Sequence, residues 1–179
     1  MENAKAITLE ALLSAREQRA QNQKKLIDAF DANVISFTVN TPGKFKDALI
    51  SRKIHYEGRR ELEEVLMEKK IPIVYEEVYY KTTGAEAFIV VDMDAVTLKK
   101  MLVEVEECHP LGRLFDFDVI DKKYNMITRA AMNRTGRKCL LCEEDASICV
   151  RSQKHPYDVL IEKIRTLTRE YFEESKESK

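Results

Sequence analysis

Hydrophobic positions along this chain alternate between a helical period and a two-residue period, and the switches outline its elements. Between residues 8 and 30, Leu9, Leu12, Leu13, Leu26, Ile27 and Phe30 recur at helical spacing, with Thr8 placed to cap the first turn. The middle of that helix is polar. Arg16, Glu17, Arg19 and Gln23 share one flank, which reads as a solvated face with local ion pairs. Residues 34–39 are β-branched and aromatic and predict a buried strand, closed by the Asn40-Thr-Pro-Gly43 turn. Helices are expected at 44–52 and 58–70, the second with Leu62, Val65 and Leu66 inward. Strands are expected at 71–80 and 87–91, around a turn at Thr82, Thr83 and Gly84.

Further on, Val96, Leu98, Met101, Leu102 and Val105 mark a helix, and Asp92 or Asp94 before it is the expected N-cap. His109-Pro-Leu-Gly-Arg113 then turns into a strand on which Asp116 and Asp118 project one way, Phe117 and Val119 the other. A short strand at 124–127 and a basic connection at 129–138 follow. Pro156 opens a last helix with Tyr157, Leu160, Ile161, Ile164, Leu167 and Tyr171 on one stripe. Helices without regular strand–helix alternation predict an α+β fold. It is expected as one domain over residues 1–172, a mixed sheet flanked by helices. The charged residues 173–179 are expected to fray.

Composition narrows the picture only slightly. With 44% hydrophobic and 34% charged residues and a formal net charge of -1, the chain is an ordinary globular sequence without a general electrostatic grip on nucleic acid. No long apolar segment suggests a membrane span, and a cytoplasmic protein is expected. There, four cysteines read as thiols or metal ligands.

Two groupings carry chemistry. Asp116 and Asp118, side by side on a strand, repel each other unless a cation intervenes, and paired carboxylates suit Mg²⁺. Gly112 lets backbone approach a ligand, and Arg113 can fork onto phosphate oxygens. The bland alternative is a pair of acids on a solvent-facing edge strand. Arg134 and Arg137 flank Gly136, as a polar loop or an anion contact. The second grouping is Cys139, Cys142, Cys149 and His155. Cys-x-x-Cys is how a zinc knuckle begins, but Cys149 and His155 would face apart if 146–154 were one helix; buried core thiols are the alternative. Cys108, His55 and His109 have no evident partners in the sequence.

Four motifs in order resemble one family: Leu12-Leu-x-x-Arg16-Glu17-x-Arg19-x-x-x-Gln23, Phe37-Thr-x-Asn40-x-Pro42-Gly43, His109-Pro-Leu-Gly-Arg-Leu-Phe-Asp-x-Asp-Val119, and Gly136-Arg-x-Cys-x-x-Cys142 with Cys149-x-Arg151-Ser152-x-x-His155. It is the citrate lyase holo-acyl-carrier-protein synthase family, also called apo-citrate lyase phosphoribosyl-dephospho-CoA transferase. The resemblance implies transfer of the phosphoribosyl-dephospho-CoA group from 2′-(5″-triphosphoribosyl)-3′-dephospho-CoA to a serine of the citrate lyase acyl carrier subunit, with release of diphosphate. It implies Mg²⁺ on Asp116 and Asp118, triphosphate contacts at Gly112 and Arg113, and further phosphate contacts at Arg137 and Arg151. Arg16, Arg19 and Gln23 become ligand or partner contacts. Asp92, Glu86 and Asp121 stay unranked as a third carboxylate, and zinc on the cysteines stays open. A small nucleotidyltransferase-like sheet is the expected architecture. Two other readings remain: the equivalent transferase for the malonate decarboxylase carrier, and a zinc-stabilised module that binds an acyl carrier without catalysis.

Overall fold

The computed structural model describes residues 6–43 and 46–177, which divide after Ile127 into two compact units. The first contains helices α1 (Leu9–Phe30), α2 (Leu49–Glu68) and α3 (Ala95–Cys108) and strands β1 (Asn33–Val39), β2 (Ile73–Lys81), β3 (Gly84–Val91) and β4 (Phe115–Ile120). The strands form one sheet in the order β2-β3-β1-β4. The class is α+β, as expected, and every ladder is antiparallel where a mixed sheet was anticipated.

Register explains how the two faces differ. Val34 pairs with Val90 and Ile120, Ser36 with Phe88 and Asp118, and Thr38 with Glu86 and Asp116, so these nine residues share one face. Leu26 and Ile27 of α1 close over its apolar end, forming a core with Ala32, Val34, Phe88, Val90 and Ile120. Toward Thr38 the same face turns polar. The opposite face is largely apolar, with Asn33 of β1 and Glu76 of β2 as polar exceptions: Phe37 stacks on Phe117 at 4.4 Å and meets Phe115 edge-on at 5.8 Å.

On that apolar face α2 runs unbroken, where two helices were expected. Gly58 does not interrupt it. A Cβ there would lie 2.4 Å from Phe37 Cζ and 3.0 Å from the Phe115 ring, so the glycine is what lets helix and sheet touch. Tertiary contact overrides the weak helix propensity of glycine. Lys44 and Phe45, from the first expected helix, lie outside the described residues. β4 is an edge strand whose outward backbone is covered from α3: Phe117 N–H donates to Glu106 Oε1 at 3.1 Å, and its carbonyl accepts from Lys99 Nζ. Both side chains are buried. The strand expected at 124–127 is a single bridge between Met126 and Ile120.

In the second unit, α4 (Ala146–Arg151) and α5 (Tyr157–Glu177) follow a bridge between Lys138 and Asp145. Leu160, Ile161, Ile164, Leu167 and Tyr171 form the less exposed stripe of α5, as their spacing predicts, whereas Tyr157 is exposed. Of the residues expected to fray, 173–177 belong to this helix, and Ser178 and Lys179 lie outside the described residues.

His55 is an anomaly of the core. It is fully buried, stacks on Phe37 at 4.8 Å, and neither ring nitrogen has a hydrogen-bond partner among the described residues. Burial, reinforced by the Arg59 charge, lowers its pKa to about 4. The unfolded chain therefore binds a proton at this residue from about pH 6.5 downward, while the folded chain resists until about 4. Its contribution is intact above pH 6.5 and falls away as pH drops through that window. His55→Phe removes two unsatisfied nitrogens and should flatten the acid side of the stability profile by roughly 1–3 kcal/mol. Urea unfolding at a series of pH values checks this, and an unchanged slope contradicts it.

Candidate functional site

The polar end of the α1-facing sheet surface is bounded by the N-terminal half of α1. Arg19 reaches down from that helix to Glu86, which is 2% exposed, with Nη2 and Nε at 2.8 and 3.1 Å from Oε1. Lys81 Nζ takes the other oxygen at 2.8 Å. Around this locked carboxylate lies a cleft of about 160 Å³, lined on one side by Leu12, Ala15, Arg16 and Arg19, and on others by Thr38, Asn40, Asp116, Lys46, Ser51 and Gly84. Among the described residues its charged lining is three cations and one carboxylate. Lys46 donates to the Thr41 carbonyl, and burial followed by the Arg16 charge pushes its pKa below the usual lysine value. A cleft that crowds like charges together is suited to an anion.

The structure sorts the expected residues unevenly. Arg16, Arg19 and Asp116 converge on the cleft. Asp118 shares their face of β4, one cross-strand row away, opposite Ser36; both acids are half-buried, with Phe117 and Val119 turned inward as their alternation predicts. Arg113 stands in the 3-10 turn before β4, outside the cleft lining. Gly112 has a different reason for being glycine: a Cβ there would lie 2.5 and 2.7 Å from the carbonyl oxygens of Glu106 and Val105. It lets the turn press against the end of α3. Arg137 and Arg151 belong to the second unit. Lys46, Ser51 and Thr38 are cleft residues that sequence reasoning missed, because only strand register and the start of α2 reveal them.

Among the other acids, Asp94 caps α3, accepting from Thr97 N–H at 2.8 Å. Asp92 is largely exposed and pairs with Lys122 at 3.3 Å, while Asp121 accepts from the Lys123 and Asn125 amides at 2.8 Å. Of the three candidates for a third carboxylate, only Glu86 lies in the Asp116 row, and its oxygens are already held by Arg19 and Lys81.

In the second unit, Cys139, Cys142, Cys149 and His155 come together with all ligand atoms within 4.8 Å of one another, a group that could hold a metal ion. α4 ends at Arg151, and Gln153 takes a positive φ of 48°, so the chain doubles back and His155 reaches the thiols. The anticipated separation of Cys149 and His155 along one helix does not arise. Cys142 Sγ lies 3.6 Å from Cys149 Sγ and 3.3 Å from His155 Nε2, and the Leu141 amide points at Cys139 Sγ at 3.5 Å. Glu144, 3.7 Å from Cys149 Sγ, is tied to Lys154 at 2.8 Å.

Among known proteins, the family model described as apo-citrate lyase phosphoribosyl-dephospho-CoA transferase matches residues 7–171. A Vibrio cholerae protein named "Probable apo-citrate lyase phosphoribosyl-dephospho-CoA transferase" is 36% identical over 167 residues, covering 93% of this chain and 94% of its own. An Escherichia coli apo-citrate lyase phosphoribosyl-dephospho-CoA transferase is 30% identical over 162 residues, 90% of this chain and 88% of its own. The Haemophilus influenzae "Protein CitXG" is 36% identical over 165 residues, 92% of this chain but 36% of its own length.

The two roles open to Gly112 separate experimentally. Gly112→Ala forces backbone apart and should cost roughly 1–3 kcal/mol of stability, visible as a lowered melting temperature. A variant with unchanged melting that loses only ligand affinity would restore the ligand-contact role.

Proposed function

Because the chain belongs to the apo-citrate lyase phosphoribosyl-dephospho-CoA transferase family, we propose that it attaches the phosphoribosyl-dephospho-CoA group to a serine of the citrate lyase acyl carrier subunit, using 2′-(5″-triphosphoribosyl)-3′-dephospho-CoA as donor. The serine oxygen forms a bond to the α-phosphorus, the bond from that phosphorus to the β-phosphate oxygen breaks, and diphosphate departs. The serine proton is released. The observation that carries the siting of this reaction is the cleft in which Asp116 stands across from Arg16, Arg19 and Lys46.

Nucleotidyl transfer asks for positioned charge more than for covalent chemistry. Arg16 and Arg19, on one flank of α1, are proposed to grip the phosphates; Arg19 is itself braced by Glu86, which fixes its guanidinium in the wall of the cleft. Arg113 is kept as a further phosphate contact beside β4, and Arg137 and Arg151 are proposed on the family resemblance alone. Asp116 and Asp118 offer hard carboxylate oxygens from one strand face, a donor set that fits Mg²⁺ completed by substrate phosphates. Mg²⁺ held there supplies neutralisation of phosphate charge and activation of the attacking oxygen. Asp116→Asn and Asp118→Asn should each lower transfer by at least about a hundredfold, read as mass gained by the carrier subunit in the presence of Mg²⁺ and the triphosphoribosyl donor. Unchanged transfer removes the acids from the mechanism, and no mass gain with the unaltered protein defeats the functional reading.

The thiol cluster is proposed as a structural zinc site. Four protein ligands close it, and tetrahedral zinc with Zn–S near 2.3 Å and Zn–N near 2.0 Å has edges of about 3.8 and about 3.5 Å. The spacings of 3.6 and 3.3 Å here are close to those values. Thiols kept as ligands suit a reducing compartment, and the cytoplasm is the proposed location; no helix among the described residues is long and apolar enough to cross a membrane. About one zinc per chain should survive dialysis, and Cys142→Ala should lose it and melt at lower temperature. Metal-free protein with unaltered melting overturns the zinc assignment.

A further inference from the structure

One wall of the cleft carries more positive character than the reading above uses, and it belongs to the start of α2. Among the described residues neither Arg16 nor Lys46 has a carboxylate partner; the Lys46 ammonium contacts the Thr41 carbonyl, and Arg19 is committed to Glu86. Two cations held together without an acid between them repel, and burial weakens the solvent screening that would relieve them. An anion removes both penalties at once.

The helix behind Lys46 points to the same ligand. α2 starts at Leu49 with Ala48 as its N-cap, no side chain caps it, and its first turn holds no acid. Asp47, just before the cap, is bound to Arg52 at 2.6 and 2.8 Å. The first-turn amides therefore keep their partial positive charge and lack side-chain acceptors. Ser51, in that turn, lines the cleft while being 94% buried, the complement of its 6% exposure, and its hydroxyl makes no hydrogen bond among the described residues. An unpartnered donor aimed into a cationic cleft is the second, independent mark of an anion site.

Size limits what enters. At about 160 Å³ the cleft is well below the roughly 300–1,000 Å³ typical of pockets that enclose a drug-sized ligand. It suits a small, highly charged group rather than a nucleotide. Its charge is also graded, with Asp116 on the sheet and Lys46, Arg16 and Ser51 away from it.

Resting on the transferase reading, we propose that Lys46 and Ser51 at the start of α2, together with Arg16 of α1, form the leaving-group subsite, which binds the β- and γ-phosphates of the donor and holds them as departing diphosphate. The α-phosphorus is then left toward Asp116, where the serine oxygen arrives. This orientation follows from the charge gradient alone: the doubly charged end of the triphosphate takes the cationic wall.

Inorganic diphosphate is the direct probe, because its binding requires neither the carrier subunit nor the donor. Isothermal titration of the full chain with diphosphate should show Lys46→Met binding about tenfold or more weakly, since charge-assisted hydrogen bonds are lost. Lys46→Arg should recover much of the affinity, Ser51→Ala should weaken it less, and Lys24→Met, an exposed charge control on α1, should bind as the unaltered protein does. Thermal melts distinguish lost binding from lost folding: Lys46→Met should melt no lower than the parent, as a like-charge contact is relieved, yet lose the stabilisation that diphosphate gives. Equal diphosphate affinity in Lys46→Met, or an equal loss in Lys24→Met, overturns the subsite. Lys46-dependent binding in a protein that transfers nothing to the carrier would leave the subsite standing and the reaction assignment wrong. Transfer that proceeds with Lys46-independent diphosphate binding does the reverse.

Discussion

A carboxylate buried beneath a helix sets the terms for the first unit. Glu86 is almost wholly removed from solvent, and an unpaired charge at that depth would cost several kcal/mol. Arg19 and Lys81 each take one of its oxygens, so the pairing also fixes where along the sheet α1 lies. With Arg19 anchored over β3, the apolar turn at Leu26 and Ile27 falls on Val34, Val90 and Ile120. Arg16, one turn earlier, lines the same cleft as Asp116 and Thr38. One ion-paired cluster thus couples the core at one end of α1 to the site at the other.

The cleft follows from a change of polarity along a single sheet face. Three cross-strand rows pass from valine and isoleucine through Ser36 and Asp118 to Glu86, Thr38 and Asp116. A helix of uniform apolar face could not cover that gradient, and α1 matches it with a polar middle that carries Arg16 and Arg19. Acids on the sheet, guanidinium groups above and an uncapped helix start at the side make an environment in which a polyphosphate is solvated by fixed charges. The second unit is built differently: short elements, a tight group of three thiols and one imidazole that could hold a metal ion, and one long helix. A core assembled from loops has little apolar area to bury, which is the circumstance in which a metal contributes most to folding.

Much of this was legible in the chain. The alternation around Asp116 and Asp118, the Asp94 cap, the Thr8 cap and the stripe on α5 all follow from local periodicity, and the structure keeps them. What depends on contacts distant in sequence was not legible. α2 was expected as two helices, the second opening at Gly58, whose reason for being glycine, the Phe37 ring, lies on another element. Gly112 has a packing reason of the same kind, the Glu106 and Val105 carbonyls at the end of α3, that its motif did not disclose. Lys46 and Ser51 carried no motif, and Glu86 could not be ranked against Asp92 until the strand register placed it in line with Thr38 and Asp116. The bend after Arg151 that returns His155 to the thiols depends on a positive φ at Gln153, a residue that announces no turn by type.

The central claim is spatial: the donor's phosphates sit between α1, the end of the sheet and the start of α2. Amide chemical-shift mapping of the full 179-residue chain, titrated with Mg²⁺ and a non-hydrolysable analogue of the triphosphoribosyl donor, tests it most directly. The account predicts that the largest shifts cluster at Arg16, Arg19, Thr38, Lys46, Ser51 and Asp116. Saturable binding whose shifts bypass these residues and fall within Thr128–Lys179 would contradict it.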